Sequence, residues 1–194
     1  NDPIDGEIYQ PFEIRPDVLV NFKEPVHLYT TSLSKKIVVT LTAGKASVAG
    51  KIKLNLPQGW TSQPESQAYS FNTKNEELQV VFSVTPPKNI PQSSSKEFNL
   101  TATIEDASST TSKVAHALSV IQYKHIPKQT LFPVAETKIA LVDAKVTAKK
   151  IGYFPGAGDD IPKALRQLGC EVTELTSFMS TNELQQFDAI VVGI

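Results

Sequence analysis

A glycine-rich turn near the C-terminus carries polar residues at a spacing that suggests ligand binding. Residues 156–160 read Gly-Ala-Gly-Asp-Asp and lie between an apolar stretch and a helical pattern, where a dinucleotide-binding fingerprint places its glycines. Ile161 stands where the third glycine of that fingerprint belongs, and two carboxylates at a helix N-terminus repel phosphate. We interpret the turn as tight, with an acidic cap, and expect it to bind no nucleotide.

Loops at the carboxyl ends of parallel strands are nevertheless where open α/β sheets bind ligands. The turn therefore remains a candidate site for a neutral or cationic ligand or a metal. Its candidate residues are Gly156, Gly158, Asp159 and Asp160.

The single tryptophan, Trp60, follows a Pro-Gln-Gly turn at 57–59. An exposed tryptophan can stack on a sugar ring, because its face is apolar and its edge is polar. Large aromatic side chains are more often mostly buried. We favour a core position for Trp60 and keep it as a glycan-stacking candidate.

The histidines and the cysteine form no known catalytic or metal-binding pattern. His27, His116 and His125 belong to no HxxH or HExxH spacing, and the chain has no CxxC. Cys170 begins a predicted buried strand, where a cysteine behaves as a small hydrophobic residue. We expect no catalytic residue, metal site or cofactor in this chain.

Composition narrows the possible functions further. The formal net charge is −1, and no run of Lys or Arg exceeds two residues, so a nucleic-acid partner is not expected. The apolar runs fall far short of the about 20 residues needed to cross a membrane. One cysteine permits no internal disulfide. Because the chain begins at Asn1, we expect that its N-terminus was cut.

Residues 1–125 alternate apolar and polar with period two, which is typical of half-buried strands. About seven short strands separated by turns, with no helical pattern, predict an immunoglobulin-like β-sandwich. His116 is in phase with Val114 and Leu118 and is expected to face the interior. The predicted strands include Val18–Phe22 and Val26–Tyr29, alternating stretches beginning at Ile37, Ile52, Leu78 and Phe98, and a last stretch at Val114, Leu118 and Val120; one predicted turn covers 91–95.

Residues 126–148 predict a connector, because Pro127 and Pro133 discourage a helix. It contains one predicted strand, at 138–142.

From residue 149 onward the pattern changes to α/β. A buried strand at 151–154 leads through the glycine-rich turn to a helix at 161–168, with Asp159 or Asp160 as its N-cap and Gly169 as its stop. Strands at 170–175 and 188–194 flank a second short helix, which a Ser180–Glu183 capping box begins. The last strand is apolar throughout, which is typical of a parallel strand covered on both faces, but three strands with one or two helices cannot cover both faces of such a sheet. Residues 149–194 thus predict a truncated βαβαβ domain.

The succession of motifs resembles one family along nearly the whole chain. Residues 56–60, Leu-Pro-Gln-Gly-Trp, with Pro64 and the strand ending in Val-Thr-Pro-Pro at 84–87, resemble the NPCBM-associated sandwich module found beside glycan-processing catalytic domains. Residues 2–7 with Pro11 and Phe12, and residues 123–130, resemble segments of long PIG-L/LmbE-type deacetylases. The part from 151 to 160 onward is similar to a glutamine-amidotransferase-like, flavodoxin-like fold.

The resemblance implies an accessory region of a zinc-dependent de-N-acetylase that acts on an N-acetylated sugar and is exported in a bacterium. That family's zinc ligands lie in an N-terminal catalytic domain, and no residue here matches them. The amidotransferase nucleophile would lie beyond Ile194. The implied partners are that catalytic domain and a glycan, and the apolar last strand allows self-association. Two alternatives remain open: a stand-alone adhesin-like or scaffold protein of the cell envelope, and half of a ligand-binding α/β enzyme domain.

Overall fold

The computed structural model describes residues 12–88, 96–107, 109, 111–176 and 180–193. Residues 2–7 and Pro11, the predicted turn at 91–95 and Ile194 lie outside these ranges. The strands are β1 Val18–Phe22, β2 Val26–Tyr29, β3 Lys35–Ala43, β4 Val48–Asn55, β5 Thr61–Gln63, β6 Ser66–Phe71, β7 Glu77–Thr85, β8 Lys96–Asp106, β9 Ser112–Val114, β10 Ser119–Ile121, β11 Gln129–Leu131, β12 Glu136–Leu141, β13 Lys150–Phe154, β14 Glu171–Glu174 and β15 Ala189–Val192; the helices are α1 Ile161–Gln167 and α2 Thr181–Leu184.

The chain divides into two compact units, each built from separate stretches of sequence. Unit 1 comprises residues 1–25, 34–87 and 99–138, and unit 2 comprises 26–33, 88–98 and 139–194. Among the described residues, no helix is both long and apolar enough to cross a membrane.

Unit 1 is a β-sandwich-like structure built from antiparallel pairs. One sheet has the order β1-β3-β7-β5, and in it β3 pairs with β1 on one side and β7 on the other. A second sheet contains β8, β4 and β6 in that order, with β9 paired to β8. Alternate residues of β3, β4, β7 and β8 are buried, which is what a sheet with one face in a core requires.

The period-two prediction is confirmed for the central strands. Ile37, Val39 and Leu41 of β3 are fully buried, as are Leu100 and Ala102 of β8. The strands predicted at Val18–Phe22 and Val26–Tyr29 have those bounds in the structure. The predominantly β, sandwich-like fold class therefore follows from the alternation.

The predicted phase of the last sandwich stretch is wrong. Val114 and Val120 are 53% and 44% exposed, whereas Ala115 is buried. β9 ends at Val114, and the chain continues through isolated bridges from His116 to Leu19 and Val134. Because the ladder is interrupted there, the alternation that held within β8 does not carry across the turn.

Unit 2 contains a parallel three-stranded sheet in the order β14-β13-β15. The strands predicted at 151–154, 170–175 and 188–194 correspond to these three, with shorter bounds for the last two. Asp188 ties the outer strand to the central one, since its Oδ2 accepts hydrogen bonds from the backbone N–H groups of Lys149 and Lys150, at 2.7 and 2.9 Å. These bonds hold the pKa of Asp188 below its ordinary value.

The last strand is not covered on both faces, which agrees with the prediction that this chain has too few elements to cover it. Ile190 and Val192 are 44% and 66% exposed in the described structure. β15 is the edge of a three-stranded sheet, so the burial expected of a central parallel strand does not apply to it.

The α-helix of unit 2 begins and ends close to the predicted residues. Pro162 lies in the first turn, and Gly169 follows the helix with φ +95°, the left-handed conformation that ends many helices. Gln167 fastens α1 to β2: its Nε2 donates to Val26 O at 3.0 Å, and its Oε1 accepts from Leu28 N at 2.7 Å. The Ser180–Glu183 capping box is confirmed, because Glu183 Oε2 accepts from both the N–H and the hydroxyl of Ser180.

Candidate functional site

The glycine-rich turn, which the sequence predicted as a ligand-binding loop, lies at the end of the parallel sheet where β13 and β15 have their carboxyl ends. From β13 the chain crosses to β14 on one side, and from β14 it returns past β13 to β15 on the other side. The connections after β13 and after β14 therefore leave in opposite directions across the sheet. In open α/β sheets such a switch of strand order creates the crevice in which ligands bind.

Three polar groups converge at this switch of strand order. An ideal Cβ placed on Gly193 would collide with Tyr153 Oη, Asp159 Oδ2 and the backbone N of Gly156. Only glycine therefore allows the backbone after β15 to pass so close to the loop after β13. The chain is held there by the N–H of Gly193, which donates to Phe154 O at 2.8 Å.

Tyr153 and Asp159 present buried polar atoms at this point. Tyr153 is 1% exposed, and its buried Oη lies within hydrogen-bonding reach of the Asp159 carboxylate and the Gly156 N–H. Burial raises the pKa of Tyr153, and the neighbouring Asp159 carboxylate raises it further. The phenol therefore keeps its proton at neutral pH and is a donor beside a carboxylate acceptor.

The structure brings together only two of the four residues predicted in the loop. Gly156 and Asp159 belong to the cluster at Gly193, whereas Gly158 has φ +76° and no atom within 4 Å of its ideal Cβ. Asp160 occupies the N-cap position but makes no side-chain capping hydrogen bond. Its carboxylate instead pairs with Lys163 Nζ at 2.8 Å, and both side chains are mostly exposed. The predicted N-cap position is thus confirmed for Asp160, but its side chain makes no capping hydrogen bond.

Tyr153 and Gly193 were missed by sequence reasoning. Tyr153 lies inside a buried strand and looked like a core residue, and Gly193 directly follows the last strand. The available signal was an aromatic residue with a polar tip, placed one residue before the carboxyl end of a strand.

Trp60 lies in the sandwich core, as the favoured interpretation predicted. It is 7% exposed, and its backbone N–H donates to Pro57 O across the turn at 3.1 Å. Gly59 makes that turn possible with φ +83°. A ring this deeply buried has little face left for stacking on a sugar.

The histidines and the cysteine belong to no metal-binding group in the described part of the chain. His27 and Cys170 are buried, His116 Nδ1 donates to Phe132 O at 2.9 Å, and His125 stacks on Tyr123. Within the described ranges no three His, Cys, Asp or Glu side chains form a group that could hold a metal ion.

Comparison with known proteins identifies no family. No protein-family model matches the chain, and no curated protein matches it. The periplasmic chaperone SfaE is similar in structure, with a TM-score of 0.38 and 9% sequence identity. The match covers 69% of this chain and 65% of that one. The apo form of the Calx CBD1 domain gives a TM-score of 0.35 and 7% identity over 67% of this chain and 100% of that domain. Likenesses this distant carry no functional argument.

Proposed function

We propose that this chain is a non-catalytic accessory region of a larger, exported sugar-processing protein of the PIG-L/LmbE deacetylase type that it resembles. Its role is to position a catalytic domain or to bind a glycan. In this proposal residues 1–125 act as an immunoglobulin-like module, 126–148 connect it, and 149–194 form part of a flavodoxin-like domain. In the parent enzyme the catalytic domain holds the zinc, and the same domain provides the surface that contacts this chain.

The observation that carries the proposal is the open edge strand of the parallel sheet. Ile190 and Val192 expose apolar side chains on β15, although parallel sheets normally have both faces covered. An exposed strand edge is also a template for pairing. These features support a unit that is completed by contact with more polypeptide, and the catalytic domain of the same protein is the occupant we propose; self-association through β15 is the competing outcome.

The test compares the full parent protein with a form that lacks the present region. We expect the parent to bind zinc and to release acetate from N-acetylated sugars. Deletion of this region should lower activity on a polymeric glycan but leave activity on a small N-acetylated sugar nearly unchanged. Equal loss on both substrates, or a parent that binds no zinc, would contradict the accessory role. A dimer that dissociates on Val192→Lys but not on the control Val146→Lys would favour self-association.

A second function, half of a ligand-binding α/β domain, is supported by the buried Tyr153 and Asp159 oxygens. A phenol donor beside a carboxylate fits a neutral or cationic ligand, and the carboxylates disfavour phosphate. We expect NAD, ATP and FMN to give no saturable signal in NMR titrations of the Gly156, Gly158 and Gly193 amides. Saturable shifts with a small amine that disappear in Asp159→Asn, but persist in the control Asp188→Asn, would favour this second function over the accessory role.

A further inference from the structure

A second polar site, which no sequence pattern indicated, lies within unit 1. An open cavity of about 530 Å³ is lined by the segment leading into β1, the end of β8, and β9 with the residues that follow it. Its volume falls within the roughly 300–1,000 Å³ of typical small-molecule sites. The lining residues are 15–18, Ile104, Asp106 and 113–116.

Charged side chains of both signs line the cavity in equal number. Arg15 and Lys113 are the cations, and Asp17 and Asp106 are the anions. Lys113 Nζ donates to Asp106 Oδ2 at 2.8 Å, and the Asp106 side chain is only 19% exposed. The balance of charge gives the cavity no excess of one sign with which to select an ion, while it supplies strong donors and acceptors side by side.

Tyr69, which is not itself a lining residue, places a buried hydroxyl close to Asp106 and Asp17 of the lining. Its Oη lies 2.6 Å from the ideal Cβ position of Gly50, which pairs with Asp106 across β4 and β8. Tyr69 is 4% exposed, and its Oη makes no hydrogen bond within the described residues. Burial, followed by the charges of Asp106 and Asp17, raises the pKa of Tyr69 to about 12. The hydroxyl therefore stays protonated and available as a donor.

An apolar wall and a histidine ring complete the lining. Val18, Ile104 and Ala115 are buried at the cavity. His116 Nδ1 donates to the carbonyl of Phe132, which leaves Nε2 as the ring nitrogen not used in that bond. Apolar walls combined with a few placed polar groups are typical of small-molecule sites.

We propose that this cavity binds a neutral, polyhydroxylated ring, such as one monosaccharide unit of a glycan. The hydroxyls of such a ring donate to Asp17 and Asp106 and accept from Arg15, Lys113 and Tyr69, and its C–H face contacts the apolar wall. The inference rests on the proposed accessory role and gives it a ligand class. The deletion experiment on the parent protein tests that role separately, so loss of sugar binding alone would leave a positioning role standing.

The test is an NMR titration of the isotopically labelled full chain with four sugars. Glucose and N-acetylglucosamine are neutral, glucosamine is cationic and glucuronate is anionic. We expect saturable shifts at the amides of residues 15, 17, 18, 104–106 and 113–116 with the neutral pair, and affinities for the two charged sugars that are severalfold weaker. Absence of saturable shifts at these amides, or tighter binding of either charged sugar, would overturn the proposal.

Two variants and a matched control sharpen the result. Asp106→Asn should weaken neutral-sugar binding about tenfold, since it removes a charged acceptor. Tyr69→Phe should weaken binding by about fivefold without lowering the melting temperature, because the hydroxyl it removes has no partner in the described structure. Glu65→Gln breaks an exposed ion pair with Lys53 and should leave binding unchanged. Unchanged affinity in both cavity variants would contradict the assignment.

Discussion

Trp60 and Tyr69 are both buried in unit 1, at 7% and 4% exposure, but burial has opposite consequences for the two side chains. The indole of Trp60 is part of the core, so it is no longer at the surface where a ligand could contact it. The phenol of Tyr69 keeps a polar atom that finds no partner among the described residues. A side chain whose polar tip is buried without a partner is the stronger indication of a site.

Replacing Trp60 tests its core position. Trp60→Ala should lower the free energy of unfolding by about 3–5 kcal/mol, because it removes a large buried side chain and leaves a cavity. Chemical denaturation measures the change. Tyr123→Ala is the matched control, since Tyr123 is 61% exposed, and it should cost far less. A Trp60→Ala protein that unfolds like the parent but no longer binds a glycan would restore the stacking role.

The raised pKa of Tyr69 predicts a loss of stability in alkali. The unfolded phenol ionises near its ordinary pKa of 10.0 and the folded one at about 12, so the folded state binds the proton more tightly. The contribution of Tyr69 to the free energy of unfolding is fully present below pH 10 and decreases as the pH rises towards about 12. Urea denaturation at about pH 9 and about pH 11 should show a larger loss in the parent than in Tyr69→Phe. Equal losses would show that the pKa of Tyr69 is not raised in the fold.

At the scale of elements, local rules predicted strands and helix ends well and predicted contacts between elements poorly. The alternation of Ile37, Val39 and Leu41 specified a buried face because every second side chain of a strand points the same way. The same rule failed at Val114, because the register across an interrupted ladder depends on tertiary pairing rather than on spacing.

For the candidate sites too, the sequence predicted local features but not the contacts between distant residues. The glycine-rich turn could be located from sequence, since Gly158 requires a left-handed backbone conformation. The meeting of Asp159 with Tyr153 and Gly193 could not, because it depends on the order β14-β13-β15. The sandwich cavity joins residues about 100 positions apart, such as Asp17 and Lys113, and no local pattern connects them.

The α/β segment should depend on residues outside it. Residues 149–194 are close to the length of about 40 residues below which domains usually need a disulfide, a metal or a partner. In unit 2 the side chain of Gln167 bonds to Val26 and Leu28 of β2, which a fragment of 149–194 lacks. We expect that fragment to lose the hydrogen-exchange protection that strands 151–154 and 189–192 have in the full chain.

Two further measurements bear on this dependence. In the full chain, Gln167→Ala should increase exchange in α1, whereas Gln186→Ala should not, because Gln186 Nε2 donates only within its own turn, to Glu183 O. A cooperative melt of monomeric 149–194 would show instead that the segment is a complete small domain.

At the scale of the whole molecule, each of the two units carries a different feature that bears on function. Unit 1 is a sandwich with a polar cavity of balanced charge, and unit 2 carries a parallel sheet with an open apolar edge. Neither unit, within the described ranges, groups three side chains that could hold a metal ion. In the role proposed above, this chain recognises a glycan or positions a catalytic domain, and hydrolysis belongs to that domain of the proposed parent protein.

Metal analysis of the chain purified without chelator tests that assignment most directly, with a zinc-saturated sample dialysed against buffer as the loaded comparison. We expect far less than one zinc per chain in both samples, because within the described residues no three His, Cys, Asp or Glu side chains form a group that could hold the ion, and zinc requires three or four ligands. One tightly held zinc per chain, retained through dialysis, would contradict this expectation and would place metal chemistry in this chain.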